Sequence, residues 1–246
     1  MRISDIKTTA RRLIAGTKGS YALYAIAIML VYASLLLGFT PSETGVGFNL
    51  TSLLISILTL FFTLSANFTM LLVARNQKQS VQFSDNQLAF SRHYVWRLLL
   101  LYIVQGIFLM LLLGVALLGV SLIVLGNYLV TIDTTSYYPL AFTCLGWIFS
   151  VSGFIAVVRY YFAYRMTAYI AFDRINRDPD TYPGTLAIIK DSIALMKGHK
   201  WRLFLLDLSF ILWSLLILMT FGLAYIYVLP YTNASEVVFY EQLKKV

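Results

Sequence analysis

GHKWRLFLLDLSFILWSLLILMTFGLAYIYVLP, residues 198–230, decides how this chain is read. A collar, Gly198-His199-Lys200-Trp201-Arg202, hands over directly to an apolar stretch at 203–230. That stretch makes about 42 Å of helix, more than the roughly 30 Å hydrocarbon core of a bilayer. It must tilt or break, and Thr220-Phe221-Gly222 is the expected place for a break. Asp207 lies one turn inside, close enough to Lys200 and Arg202 to pair with them or reach water.

Composition points the same way. Of 246 residues, 59% are hydrophobic and 12% charged, with a formal net charge of +8. A soluble domain carries about a quarter charged residues, so most of this surface is expected to face lipid. The positive charges sit beside apolar spans, which favours anionic headgroups and membrane orientation over nucleic acid. Nucleic acid would need a soluble stacking platform, and no segment supplies one. Cys144 stands alone in an apolar run, which excludes an intramolecular disulfide and a cysteine zinc site. His93 and His199 each precede a span and read as interfacial side chains rather than metal ligands. The first apolar run is too long for a signal peptide and lacks a small-x-small exit.

Working outward gives an all-α, polytopic transmembrane helical bundle of about five spans, at 20–39, 50–74, 98–125, 139–172 and 203–230, in one integral membrane domain, 1–246. Residues 1–19 form an amphipathic helix: Ile3, Ile6, Ala10 and Leu13 share one face, and Arg2, Lys7, Arg11, Arg12 and Lys18 fill much of the rest. A second amphipathic helix, 183–197, opens at Pro183 and repeats the spacing with Leu186, Ile189, Ile193 and Met196. Ser84 with Gln87 reads as a capping box for a short helix. Asp173, Asp178 and Asp180 read as a solvated loop without EF-hand spacing. The tail, 233–246, reads as a short surface helix.

Two stripes of small or polar residues run along spans. Ser52, Ser56, Thr59, Thr63 and Asn67 share one face of the second span, and Thr143, Gly146, Ser150 and Gly153 share one face of the fourth. Such faces let helices approach closely, so the stripes are expected to pack together or face a shared cleft. Gln105 is expected to satisfy a neighbouring helix. The fourth span ends in an aromatic and basic belt that includes Arg159, Tyr160, Tyr161, Tyr164 and Arg165.

Lys and Arg are absent from the loops around Glu43, Gly45 and Gly47 and around Asp133, and cluster in the other connections. The positive-inside rule then puts the N-terminus in the cytosol and the tail outside. A six-segment alternative breaks at Gly222 and returns the tail to the cytosol, at the expense of Asn233 and Glu236 near the membrane interior.

Met196-Lys197-Gly198-His199-Lys200-Trp201-Arg202-Leu203-Phe204, followed by Leu206-Asp207-Leu208-Ser209-Phe210-Ile211 and Trp213, resembles the signature of an uncharacterised bacterial membrane family, domain of unknown function 975. Thr220, Gly222, Pro230-Tyr231 and Phe239-Tyr240 continue the pattern, with Leu212 where a further glycine is expected. The resemblance implies a cell-membrane protein of Gram-positive bacteria. It also implies a distant similarity to the membrane domain of some glycerophosphodiester phosphodiesterases. It implies no established activity. Within the chain, Gly16-Thr17-Lys18 echoes Gly198-His199-Lys200 as the entry to a span.

The residues set aside most enzyme classes: no HExxH, GxSxG or Walker loop is present, and the spans hold no His and no paired carboxylates. No cofactor or metal is expected. The expected function is a non-catalytic membrane module engaging anionic lipid, a membrane partner or a second copy. Its lipid contacts are Arg11, Arg12, Lys18, Arg159, Arg165, Lys197, Lys200, Trp201 and Arg202. The alternative is a small permease with a polar path between the second, fourth and fifth spans, using the two stripes and Asp207.

Overall fold

The computed structural model describes residues 2–38, 50–132, 137–178 and 182–245. The readings of Glu43, Gly45, Gly47, Asp133 and Asp180 lie outside the described residues. Among the described residues the fold is all helical. Five helical stretches are long and apolar enough to cross a membrane: Ser20–Leu37, Leu50–Ala74, Arg92–Ile132, Tyr138–Arg177 and Lys200–Met219. The chain divides into two compact units, one of Met1–Trp96, Ala171–Tyr182 and Trp201–Val246, the other of Arg97–Ile170 and Pro183–Lys200.

The first unit is built on α1 (Ile3–Gly16), α2 (Ser20–Gly38) and α3 (Leu50–Ala74). Ile6 and Ala10 of the expected face are buried, but Ile14 rather than Leu13 completes it, and Ile3 and Leu13 are only half-buried. The left-handed turn into α2 falls on Gly19, at φ +84, where a Cβ would stand 3.0 Å from the Val81 carbonyl. A 3-10 helix, Phe83–Phe90, follows α3. Its cap lies two residues before the expected Ser84: the Gln82 N–H donates to Asp85 Oδ2 at 2.8 Å.

The expected single helix at 203–230 is broken twice. It becomes α8 (Lys200–Leu208), α9 (Ile211–Met219) and the first part of α10 (Tyr225–Leu243). The second break uses Phe221 at φ 50 and Gly222 at φ 93, left-handed conformations that reverse the chain. This corrects the reading of 233–246 as a separate short surface helix. Ala234, Val237, Val238, Phe239 and Tyr240 are buried in α10, which packs along α1, α2 and α3. The physical reason is that the apolar side chains of this segment find cover against α1, α2 and α3, while Asn233 and Glu236 are half-buried.

The second unit contains most of α4 (Arg92–Ile132), α5 (Tyr138–Tyr164), the start of α6 (Thr167–Arg177) and α7 (Thr185–Leu195). α4 has 41 residues, about 61 Å, and starts in the polar collar before the apolar run. The expected partnership of the two small-residue stripes is corrected here. Gly146, Ser150 and Gly153 face α4, where Ala116, Gly119 and Ile123 receive them, and Thr143 faces Gly126. A Cβ on Gly146 would lie 2.7 Å from the Gly119 carbonyl and from the Ile123 nitrogen. Gly119 and Gly126, like Gly146 and Gly153, are one heptad apart, which keeps both sets on a common seam.

α7 also turns differently from its expected stripe. Ile188, Ile189, Ser192 and Met196 are buried, while Leu186 and Ile193 are exposed. Ser192 decides the rotation, because its hydroxyl donates to the Ala163 carbonyl on α5 at 2.8 Å.

Gly146→Val should overpack the α4–α5 seam and cost about 1–3 kcal/mol. Thermal unfolding in detergent is expected to show a lower Tm. Gly114→Val, whose Cβ meets nothing within 4 Å, should stay within about 0.5 kcal/mol of wild type.

Candidate functional site

Within the first unit, Arg75 ends α3 and gathers charge around itself. Its Nη1 and Nη2 donate to the two Asp173 carboxylate oxygens at 2.6 and 3.0 Å. Nε and Nη2 donate to Glu241 Oε1 at 2.9 and 2.7 Å. The Tyr240 hydroxyl and Lys244 Nζ donate to Asp173 Oδ2 at 2.7 and 2.8 Å. Burial works against the Arg75 charge, but the hydrogen bonds to Asp173 and Glu241 outweigh it and hold its pKa above the ordinary value. Below the cluster, Phe68 stacks on Phe172 with centroids 4.5 Å apart. The cluster is chemically saturated and works as a clamp between α3, α6 and α10. Sequence reasoning missed it. Asp173 read as part of a solvated loop because its partners Arg75 and Lys244 are 98 and 71 residues away.

The candidate lipid contacts divide. Arg11 is committed to protein: Nε donates to the Tyr231 hydroxyl at 3.0 Å, and the guanidinium lies 5.1 Å from that ring's centroid. Lys7 donates to the Ser209 carbonyl at 2.9 Å and sits 4.2 Å above the Phe210 ring. Burial and the neighbouring Arg11 hold the Lys7 pKa below its ordinary value. Arg12, Lys18, Arg159, Lys197 and Arg202 are exposed, and none of them forms a side-chain ion pair with a described residue. Lys200 is half-buried, and Trp201 is exposed while stacking on Phe204 at 5.0 Å. Arg165 donates to the Tyr161 hydroxyl.

On the second-span stripe, the hydroxyls turn back to their own helix. Ser56 donates to Ser52, Thr59 to Ile55 and Thr63 to Thr59, each to a carbonyl within 2.7–2.8 Å. A hydroxyl has one donor hydrogen, so none is left for a solute. Asn67 accepts from the buried Tyr24 hydroxyl at 3.2 Å, a contact with the first span. Asp207 is half-buried in α8, and its carbonyl accepts the Phe210 N–H at the break. Among the described residues no group of three His, Cys, Asp or Glu side chains could hold a metal ion.

The second unit contains a cavity of about 320 Å³. Tyr102, Gln105 and Gly106 form one wall from α4, and Tyr160, Tyr164 and Arg165 line the end of α5. The walls are tied together. Tyr160 donates to the Gln105 carbonyl at 2.5 Å, Gln105 Nε2 donates to the Thr167 hydroxyl at 2.6 Å, and that hydroxyl donates to the Tyr164 carbonyl at 2.7 Å. Gln105 therefore satisfies a neighbouring helix, as its isolation in an apolar run implies. The cavity itself left no sequence signal beyond the tyrosine belt, because it needs α4 and α5 side by side.

Arg75→Gln should leave half-buried Glu241 without its cation and Asp173 with Lys244 alone. The loss is expected at about 2–3 kcal/mol, read as a lower Tm in detergent. Lys244→Gln, at a side chain 39% exposed, should cost less than about 1 kcal/mol.

Compared with known proteins, residues 1–246 match one family model, described as a protein of unknown function (DUF975). No curated protein and no solved structure matches the chain.

Proposed function

We propose, on the premise that this chain belongs to the DUF975 family of proteins of unknown function, that it is a non-catalytic, multi-pass protein of a bacterial cell membrane that gathers anionic lipid. The Gram-positive origin and the distant relation to the membrane domain of glycerophosphodiester phosphodiesterases follow the same signature. The N-terminus is cytosolic in this reading, because the Lys- and Arg-rich connections share its side.

One observation carries the proposal. Arg12, Lys18, Arg159, Lys197 and Arg202 are exposed and make no ion pair with described residues, whereas Arg75 spends its charge on Asp173 and Glu241. Exposed basic residues beside apolar spans attract anionic headgroups at about 1 kcal/mol each. A membrane partner or a second copy with an acidic juxtamembrane face could use the same cations. Nucleic acid is not a partner in this reading.

The test uses the whole chain in nanodiscs of mixed phosphatidylglycerol and phosphatidylcholine. Wild type is expected to enrich phosphatidylglycerol around itself, and the enrichment should fall with added salt. Arg12→Gln, Lys18→Gln, Lys197→Gln and Arg202→Gln combined should abolish most of it. Equal retention of the two lipids by wild type would remove the basis of the reading.

Orientation is checked separately. In a Cys144→Ala background, Ser4→Cys and Lys245→Cys should both be labelled only from the cytosolic side of intact cells. Labelling from opposite sides would contradict the packing of α10 on α1.

A permease is the second reading, favoured by the interrupted course of α8, α9 and α10. A solute flux in liposomes that is lost on Thr59→Leu with Thr63→Leu would select it.

A further inference from the structure

We propose that the cavity between α4 and α5 holds one anionic phospholipid, with its phosphate at Arg165 and its glycerol and upper acyl chain against the tyrosine wall. The proposal rests on the lipid-gathering reading above and deepens it from a diffuse attraction to a single site.

Depth is the first argument. The apolar run of α5 ends at Val158, and Arg159, Tyr160, Tyr161, Tyr164 and Arg165 follow. Aromatic and basic residues in that order mark the headgroup level of a bilayer. The cavity is lined by the second part of this belt, so it opens where a phosphate and the first methylenes of a lipid lie.

Size and chemistry agree with that depth. A volume of about 320 Å³ lies within the range of small-ligand sites, roughly 300–1,000 Å³. Four tyrosines, Tyr102, Tyr160, Tyr161 and Tyr164, share the lining with Leu109, and Gln105, Thr167 and Arg165 add polar groups. Arg165 supplies a permanently charged, planar fork suited to phosphate oxygens. Its guanidinium lies 5.2 Å from the Tyr161 ring centroid, which steadies the cation over an aromatic face. The bonds through Gln105, Thr167 and Tyr164 hold the walls in place before any ligand arrives.

Gly106 adds a separate observation. At Gly119, Gly126, Gly146 and Gly153 a Cβ would collide with the facing helix, whereas at Gly106 it would meet nothing within 4 Å. The space over the Gly106 backbone is left to the cavity. On the adjacent face of α4, Ile103, Ile107 and Met110 are 51%, 54% and 75% exposed. An acyl chain leaving the cavity would lie along that apolar flank. A free phosphate ion would gain nothing from it, and this selects a lipid as the occupant.

Native mass spectrometry of the full-length protein in detergent, titrated with phosphatidylglycerol or phosphatidylcholine, tests the site. Wild type is expected to hold one phosphatidylglycerol saturably. Gly106→Leu, whose Cβ meets nothing within 4 Å and whose branch extends into the cavity, should weaken that binding about tenfold or more, and Arg165→Gln should reduce the preference over phosphatidylcholine by about tenfold, each being the loss of about 1.4 kcal/mol. Gly106→Ala is the companion variant: it leaves most of the volume open and should bind nearly as wild type. Unfolding temperature confirms that each variant is folded. If Gly106→Leu does not fold, the Arg165→Gln preference decides. Absence of a saturable single lipid on wild type would overturn the proposal. So would wild-type binding by a folded Gly106→Leu protein, or an unchanged preference in Arg165→Gln. The combined variant at Arg12, Lys18, Lys197 and Arg202 separates the two ideas. It should lose bulk enrichment while keeping the single tight lipid, so failure of the cavity and failure of the diffuse attraction give different results.

Discussion

A guanidinium held by two carboxylates organises the first unit. Arg75 stands where α3 leaves its apolar run, and Asp173 and Glu241 reach it from α6 and α10. The charges are half-buried, so an unmatched one would be costly. The arrangement is stable only when all three helix ends meet. That requirement brings the C-terminal residues back to the end of α3, and it explains why Tyr240 and Lys244 also point their donors at Asp173. The return of α10 then covers the apolar face of α1, whose Ile6, Ala10 and Ile14 are buried.

A second constraint is the backbone itself. A helix interrupted in an apolar setting frees carbonyl and N–H groups that water cannot reach. Each interruption here has a partner. Lys7 supplies the Ser209 carbonyl at the first break. At the second, the Tyr32 hydroxyl donates to the Gly222 carbonyl at 2.6 Å, and the Thr220 hydroxyl accepts the Ala224 N–H at 3.0 Å. Lys7 therefore does structural work that its place in a basic amphipathic face did not announce. The same is true of Arg11, and both are withdrawn from the set of cations open to lipid.

The cations that remain exposed and the tyrosine-lined cavity divide the functional reading between them. In the proposed reading, Arg12, Lys18, Lys197 and Arg202 attract anionic headgroups at a distance and without shape. Arg165, Tyr160 and Tyr164 line a cavity between α4 and α5, and the proposed single-lipid site lies there. The seam depends on glycines, because only their missing side chains let Gly146 approach Gly119 and Gly153 approach Ala116. At Gly106, which lines the cavity, a Cβ would instead meet nothing within 4 Å.

The residues by themselves determined the helical class, the positions of the long apolar stretches, the amphipathic character of α1 with Ile6 and Ala10 inside, and the weak point at Thr220-Phe221-Gly222. These are matters of local hydropathy and period, and neighbours in sequence are enough to settle them. Other features were decided by tertiary structure: the partner of each stripe, the rotation of α7 about Ser192, the return of α10 and the clamp on Arg75. A stripe of small residues specifies close contact without specifying with what. A charge on an apolar chain reads as solvated until the opposite charge arrives from a distant segment. The pairing of Arg75 with Asp173 spans 98 residues, and only the folded chain brings the two within reach.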